Sequence, residues 1–130
     1  MTQIDDFRAL IDRSKRFLIS SEMQAGKGFY DLAVFSLEQA LQLFLKALLI
    51  KHGVEYPRIH GIRKLLKMLE KVSGFNVISR LLERYSFELG VLEDAYITSR
   101  YIPREYTRED YERLREAVEE IINGLGGYNG

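Results

Sequence analysis

The chain has 130 residues, 46% hydrophobic and 29% charged, the size of one domain with enough apolar material to bury about two-thirds of its extended surface in a single core. It contains no cysteine and only two histidines, His52 and His60, which excludes disulfides, cysteine–zinc sites, iron–sulfur clusters, thiol nucleophiles and histidine-rich metal sites. Nineteen basic residues balance nineteen acidic ones, so any attraction to nucleic acid or to an anionic membrane has to be local.

The start carries Asp5 and Asp6 and no basic n-region. No apolar run reaches the roughly 18 residues that cross a bilayer. The expectation is a cytoplasmic protein without membrane contact. Helical periodicity dominates, and alternating β-branched runs with hairpin turns are missing. In the first segment, Ile4, Phe7, Ile11, Ser14, Leu18 and Ser21 share one face over about residues 3–23, before Gly26, Lys27 and Gly28 break the pattern. The glycine pair lacks phosphate-loop spacing and follows no strand, so it reads as a linker.

The second segment, about residues 29–52, carries Tyr30, Ala33, Val34, Leu37, Leu41, Phe44, Leu45 and Leu48 in a long stripe. Phe29, Leu32, Leu43, Ala47 and Ile50 spread apolar character around the cylinder and leave a narrow polar strip of Asp31, Glu38, Gln39, Gln42 and Lys46. Such a helix belongs at the centre of the fold. Buried charges need partners: either Lys46 extends to water and Glu38 pairs with a neighbouring helix, or the strip borders a polar groove. His52 and Gly53 mark the end of this helix, with Pro57 beyond. His52 suits a helix C-terminus as a surface residue.

The third segment, about residues 60–73, sets Ile62, Leu65, Leu66, Leu69 and Val72 against a basic, solvated face of Arg63, Lys64, Lys67 and Lys71. His60 stands at its start, where an imidazole can bond free backbone groups or sit near a charged ligand. The fourth segment reads as one helix over about residues 76–100, with Ile78, Leu81, Leu82, Tyr85, Leu89, Leu92, Tyr96 and Ser99 at a and d spacing. Gly90 inside it costs about 1 kcal/mol relative to alanine and points to close packing or a bend. After a link containing Pro103, Thr107 and Asp110 form a capping-box-like start, and Tyr111, Leu114, Val118, Ile121 and Leu125 give the last helix its apolar face. That helix ends near 123, and residues 124–130 read as a glycine-rich tail. The fold class is all-α: a single domain over 1–130, an up-and-down antiparallel bundle of four to five helices with a core over about 3–123.

Between Asp94 and Arg115, Tyr96, Tyr101, Tyr106 and Tyr111 interleave with Arg100, Arg104, Arg108, Arg113 and Arg115. Guanidinium groups hold phosphate bidentately and phenol rings stack on bases, so this composition suits a nucleotide or an RNA strand. Glu93, Asp94, Glu105, Glu109, Asp110 and Glu112 cancel most of that charge and leave only Arg100 to Arg104 locally cationic. The alternative is that these arginines close ion pairs across the bundle or a dimer seam.

The run from Tyr30 through Ala40, continuing as Leu45-Lys46-Ala47-Leu48-Leu49, and then Ile59-His60-Gly61-Ile62 with Leu65-Leu66, resembles the HEPN domain of prokaryotes and higher eukaryotes. Ser99-Arg100-Tyr101-Ile102-Pro103 is similar to the alanine-arginine-tyrosine-proline segment of that family, with one extra residue before the proline. The matches span about residues 5–123. The resemblance implies a helical bundle, usually a homodimer, associated with nucleotide or RNA binding and often paired with a small nucleotidyltransferase in toxin–antitoxin systems. Some members are metal-independent ribonucleases whose arginine and histidine, a few residues apart, meet across the dimer. Counting from Arg100, that histidine would fall at Glu105, Tyr106 or Thr107, so the imidazole is missing. His60 corresponds to a different, earlier histidine of the family.

The resulting expectation is a binder without a cofactor, a metal or an assigned catalytic residue. Arg100 and Arg104 contact phosphate, Tyr101 stacks or hydrogen-bonds, Asp94 orients an arginine, and Tyr96 lies close by. Glu38, Lys46 and His60 form a possible groove. The partners are a second copy, a nucleotidyltransferase, and a nucleotide or RNA. The alternatives are a ribonuclease with a displaced site and a non-catalytic dimerisation module.

Overall fold

The computed structural model describes residues 2–98 and 104–128. Among these, α1 runs over Gln3–Gly26, α2 over Tyr30–Lys51, α3 over Ile62–Ser73, α4 over Val77–Arg84, α5 over Ser86–Thr98 and α6 over Arg108–Gly124, with no strand between them. The all-α class follows from the sequence periodicity, with six helices where four to five were expected.

α1 and α2 form a hairpin. Gly28 takes φ +79° in the turn between them, a conformation that suits glycine. Two hydroxyls tie the pair together: Ser14 Oγ donates to the Ala40 carbonyl at 2.6 Å, and Ser36 Oγ donates to Gln24 Oε1 at 2.7 Å. α2 contacts α1, α3, α5 and α6, and every residue from Ala40 to Ile50 is buried. By length and composition α2 could cross a membrane, contrary to the sequence reading. Its place inside the bundle assigns that apolar character to the core. α1 also extends to Gly26 rather than 23, and α3 starts at Ile62 rather than 60, with Gly61 as its N-cap.

The fourth predicted helix is two. Tyr85 leaves helical geometry at φ −107° and ψ 23°, although its N–H still reaches the Leu81 carbonyl and its own carbonyl accepts from Leu89. Ile78, Leu81 and Tyr85, then Leu89 and Leu92, all stay buried, so the a/d pattern continues through the break and could not reveal it. The cause is tertiary: α4 packs on α3, while α5 packs on α2, α3 and α6. Gly90 lies within α5 and not at the break. Ser99 and Arg100, the expected end of this helix, fall outside the described residues.

The segment read as a glycine-rich tail contributes to the core. Leu125 is buried, the Tyr128 ring meets Phe44 edge-on at 5.5 Å, and the Tyr128 hydroxyl lies 2.9 Å from Ser14 Oγ. Tyr128→Ala should therefore destabilise the fold by about 2–4 kcal/mol, through loss of the ring contact and the hydroxyl bond. A urea midpoint unchanged from the parent chain would return this segment to the status of a free tail.

Candidate functional site

Glu38, Gln42 and Lys46 recur every four residues and form one line along α2. Because that helix is enclosed, the line is buried: Glu38 and Lys46 are each 1% exposed. This corrects the expectation that Lys46 reaches water and that Glu38 pairs with a neighbouring helix. Glu38 is held within its own helix, accepting from Gln39 Nε2 at 2.7 Å and Gln42 Nε2 at 2.8 Å. Lys46 Nζ lies 3.0 Å from His60 Nδ1 and 5.2 Å from the centre of the Tyr56 ring. A protonated Lys46 donates to Nδ1 and leaves the His60 proton on Nε2. Burial pushes the Glu38 carboxyl up to about 7, against the pull of the two glutamine amides and the Lys46 charge. Burial also lowers Lys46, against the attraction of Glu38.

The row continues onto α3 and α5. Arg63 Nε donates to Glu93 Oε1 at 2.5 Å, and the other Glu93 oxygen lies 3.1 Å from where a Cβ at Gly61 would stand. The N-terminus of α3 has no side-chain cap and no acid of its own in the first turn. Glu93 supplies a carboxylate there from α5, in the position the helix dipole favours. The His60 and Tyr96 rings are 6.0 Å apart. A cavity of about 520 Å³ lined by Glu55, Tyr56, Arg58 and His60 opens at this end.

A second cavity, about 310 Å³, lies between α5 and the start of α6, with Phe87, Val91, Arg104, Tyr106, Arg113 and Leu114 in its wall. α6 is started by its capping box: Thr107 Oγ1 accepts from the Asp110 N–H at 3.1 Å, and Asp110 Oδ2 accepts from the Thr107 N–H at 2.9 Å. Arg113 Nε donates to the buried Glu88 carboxylate at 2.8 Å, and its guanidinium stands 4.7 Å above the Phe87 ring. Arg104 approaches Asp94 only to 3.9 Å, with both side chains more than half exposed, a pair worth about 1 kcal/mol at most. The Tyr106 hydroxyl is buried without a hydrogen-bond partner among the described residues. Burial raises its pKa, and Arg104 opposes the rise.

The predicted residues thus divide. Asp94 and Arg104 come together at the α5–α6 cavity. Glu38, Lys46 and His60 come together as the buried row, and Tyr96 joins them, because residues two apart on a helix point about 200° apart. Tyr96 therefore does not belong with Arg104. Arg100 and Tyr101 lie outside the described residues. Ion pairing accounts for other arginines of the interleaved stretch: Arg115 binds Glu22 and Glu119, and Arg108 pairs with Glu112. Phe87 and Glu93 were missed, as were the site positions of Tyr106 and Arg113. The outward spacing of Phe87, Val91 and Asp94 was available in the sequence, whereas the Glu88–Arg113 pairing, far apart in the chain, gave no local signal.

A family model for the HEPN domain matches residues 7–127. The chain belongs to the HEPN domain family. The match covers the bundle from α1 to the segment after α6, so both cavities lie within the HEPN domain. No curated protein matches the chain. At the positions where ribonucleases resembling it would carry histidine, Glu105 is exposed, the Tyr106 hydroxyl is buried, and the Thr107 hydroxyl is engaged in the cap. Among the described residues of this HEPN domain, no group of three or more histidine, cysteine or acidic side chains could hold a metal.

The raised Glu38 carboxyl predicts a pH dependence of stability. Between its ordinary value of 4.5 and about 7 the folded state keeps a proton that the unfolded chain releases. Stability from this group is therefore full below 4.5 and is lost as the pH rises toward 7, by about 3 kcal/mol in all. Glu38→Gln should abolish that loss, so that its advantage over the parent grows from pH 5 to pH 7.5 in urea unfolding. A pH-independent difference between the two proteins would contradict the assignment.

Proposed function

We propose that this HEPN protein binds a nucleotide or a short RNA segment in the α5–α6 cavity, and that it serves as the binding member of a toxin–antitoxin-like pair with a nucleotidyltransferase. The observation that carries the reading is the placement of Arg104 and Arg113 beside an apolar wall of Phe87, Val91 and Leu114, with the Glu105 and Asp110 carboxylates on the same rim. Apolar surface with a few directed polar groups is the usual make-up of a small-ligand site. Arg104 is the phosphate contact, because its loose pair with Asp94 yields to a phosphate that accepts two hydrogen bonds. Phe87 offers a ring to a base, and Arg100 joins on its sequence position alone. Family membership supports the nucleotidyltransferase pairing.

Binding without cleavage is read from the missing imidazole; the Glu105 carboxylate on the cavity rim is the one group at 105–107 that could take the proton of a 2′-hydroxyl. One observation favours an alternative, a metal-independent ribonuclease with a displaced site: Glu38 and Lys46, both shifted toward neutrality, stand in one row with the exposed His60.

Titration with labelled ATP and a short single-stranded RNA tests the proposal. Arg104→Ala should weaken binding by about 10- to 100-fold, the loss expected for a charge-assisted hydrogen bond to phosphate. Arg104→Lys should recover only part of it, because lysine cannot make the bidentate contact. Equal affinity of the parent and Arg104→Ala would refute the site. RNA fragments ending in 2′,3′-cyclic phosphate would replace the binder with the ribonuclease.

A further inference from the structure

Where α2 and α6 end, a third cavity of about 380 Å³ opens between the N-terminal half of α1, the connection from α3 to α4 and the segment Gly124–Gly127. Ile11, Leu48 and Leu125 give it buried apolar wall, and Phe7 and Phe75 give it half-buried rings. Gly126 and Gly127 take φ +107° and +67°, so bare backbone, in a conformation that would strain any other residue, passes along the remaining side. Just beyond, Tyr128 is anchored on Ser14 and Phe44. The wall is therefore preformed.

Two adjacent side chains bring polarity to this cavity, Lys51 and His52. Both are exposed, which places their polar ends at the mouth, and an aromatic wall residue holds each of them. Lys51 Nζ stands 5.5 Å from the centre of the Phe7 ring, and the His52 ring meets Phe75 edge-on at 5.8 Å. The helix ends make no demand on either group. The N–H groups of His52, Gly53 and Val54 close the carbonyls of Leu48, Leu49 and Ile50, and those of Leu125, Gly126 and Gly127 close the carbonyls of Ile121, Ile122 and Asn123. Among the described residues no carboxylate lines this cavity, whereas Glu55 lines the one at His60, and Glu105 and Asp110 line the α5–α6 cavity. In a chain whose charges balance overall, this wall carries basic side chains and no acid.

We propose that this cavity binds a small amphipathic monoanion, a carboxylate on an aliphatic or aromatic body, with the body between Phe7 and Phe75 and the carboxylate at Lys51 and His52. Apolar wall with a few polar groups gathered at one end is the make-up of a small-ligand site, and it fixes the orientation of the guest. An ammonium is a point charge and an imidazole offers one N–H, so the pair suits a single carboxylate. A polyphosphate or a nucleobase asks for more donors, and the wall holds no further side-chain donor. The site is separate from the α5–α6 cavity and does not rest on the nucleotide reading.

Octanoate is the probe, with octanol and acetate as the two halves of its chemistry. At pH 7.5 titration calorimetry should show one octanoate bound per chain, and its methylene protons should give nuclear Overhauser effects to the Phe7 and Phe75 rings. Octanol, which lacks the charge, and acetate, which lacks the body, should each bind at least tenfold more weakly, the loss expected for a charge-assisted hydrogen bond or for the apolar contact being about that size. Lys51→Met replaces an exposed side chain and keeps its apolar stem, so thermal stability should hold while octanoate binding falls by about tenfold and octanol binding stays as it was. Absence of saturable octanoate binding overturns the inference, and so does binding that Lys51→Met leaves intact or that contacts neither ring. ATP affinity should be the same in the parent and in Lys51→Met, so that failure of either site leaves the other standing.

Discussion

The enclosure of α2 over Ala40–Ile50 is the constraint on which the rest of the molecule depends. Four helices contact it, and from Ala40 to Ile50 every residue is buried. A helix so enclosed along this stretch has no polar face to spare, so the buried line of Glu38, Gln42 and Lys46 has to find its hydrogen bonds indoors. The glutamine amides satisfy the carboxylate along the helix itself, and Lys46 leaves the core only as far as His60. The loop before α3 meets that row through His60, and the C-terminal end of α5 meets His60 through Tyr96. The central hydrophobic helix and the polar end of the bundle are therefore two consequences of one packing decision.

α5 separates the two candidate regions. One side carries Tyr96 toward His60 and the buried row, and the opposite side carries Asp94 toward Arg104 and the α5–α6 cavity. Glu93, between them, reaches back to Arg63 and the uncapped start of α3. The break at Tyr85 permits this placement, because it frees α5 to follow α2 while α4 stays on α3.

The arginines differ in what their partners leave available. Arg113 is held by a buried carboxylate and lies over an aromatic ring, so its guanidinium is preorganised at the cavity wall. Arg115 is drawn into two acids across α1 and α6. Arg104 has only a long, exposed pair. Near-zero net charge in the interleaved stretch therefore conceals unequal roles. Arg113 and Arg115 join helices, Arg108 pairs within α6, and Arg104 and Arg113 face a cavity.

The sequence by itself determined the helical class, the central position of the Tyr30–Lys51 helix, the capping box at Thr107 and the family, because periodicity, caps and segment order are local properties of the chain. It also brought Glu38, Lys46 and His60 forward, since charge on an otherwise apolar cylinder is visible in one dimension. Only the tertiary structure decided that Lys46 turns inward to an imidazole, that one predicted helix divides at Tyr85, and that Tyr128 returns to the core. It alone separated Tyr96 from Asp94 and joined Glu88 to Arg113 across the fold. Each of these depends on which surfaces meet, and a heptad pattern that runs unbroken through Tyr85 carries no record of the direction in which the next helix leaves.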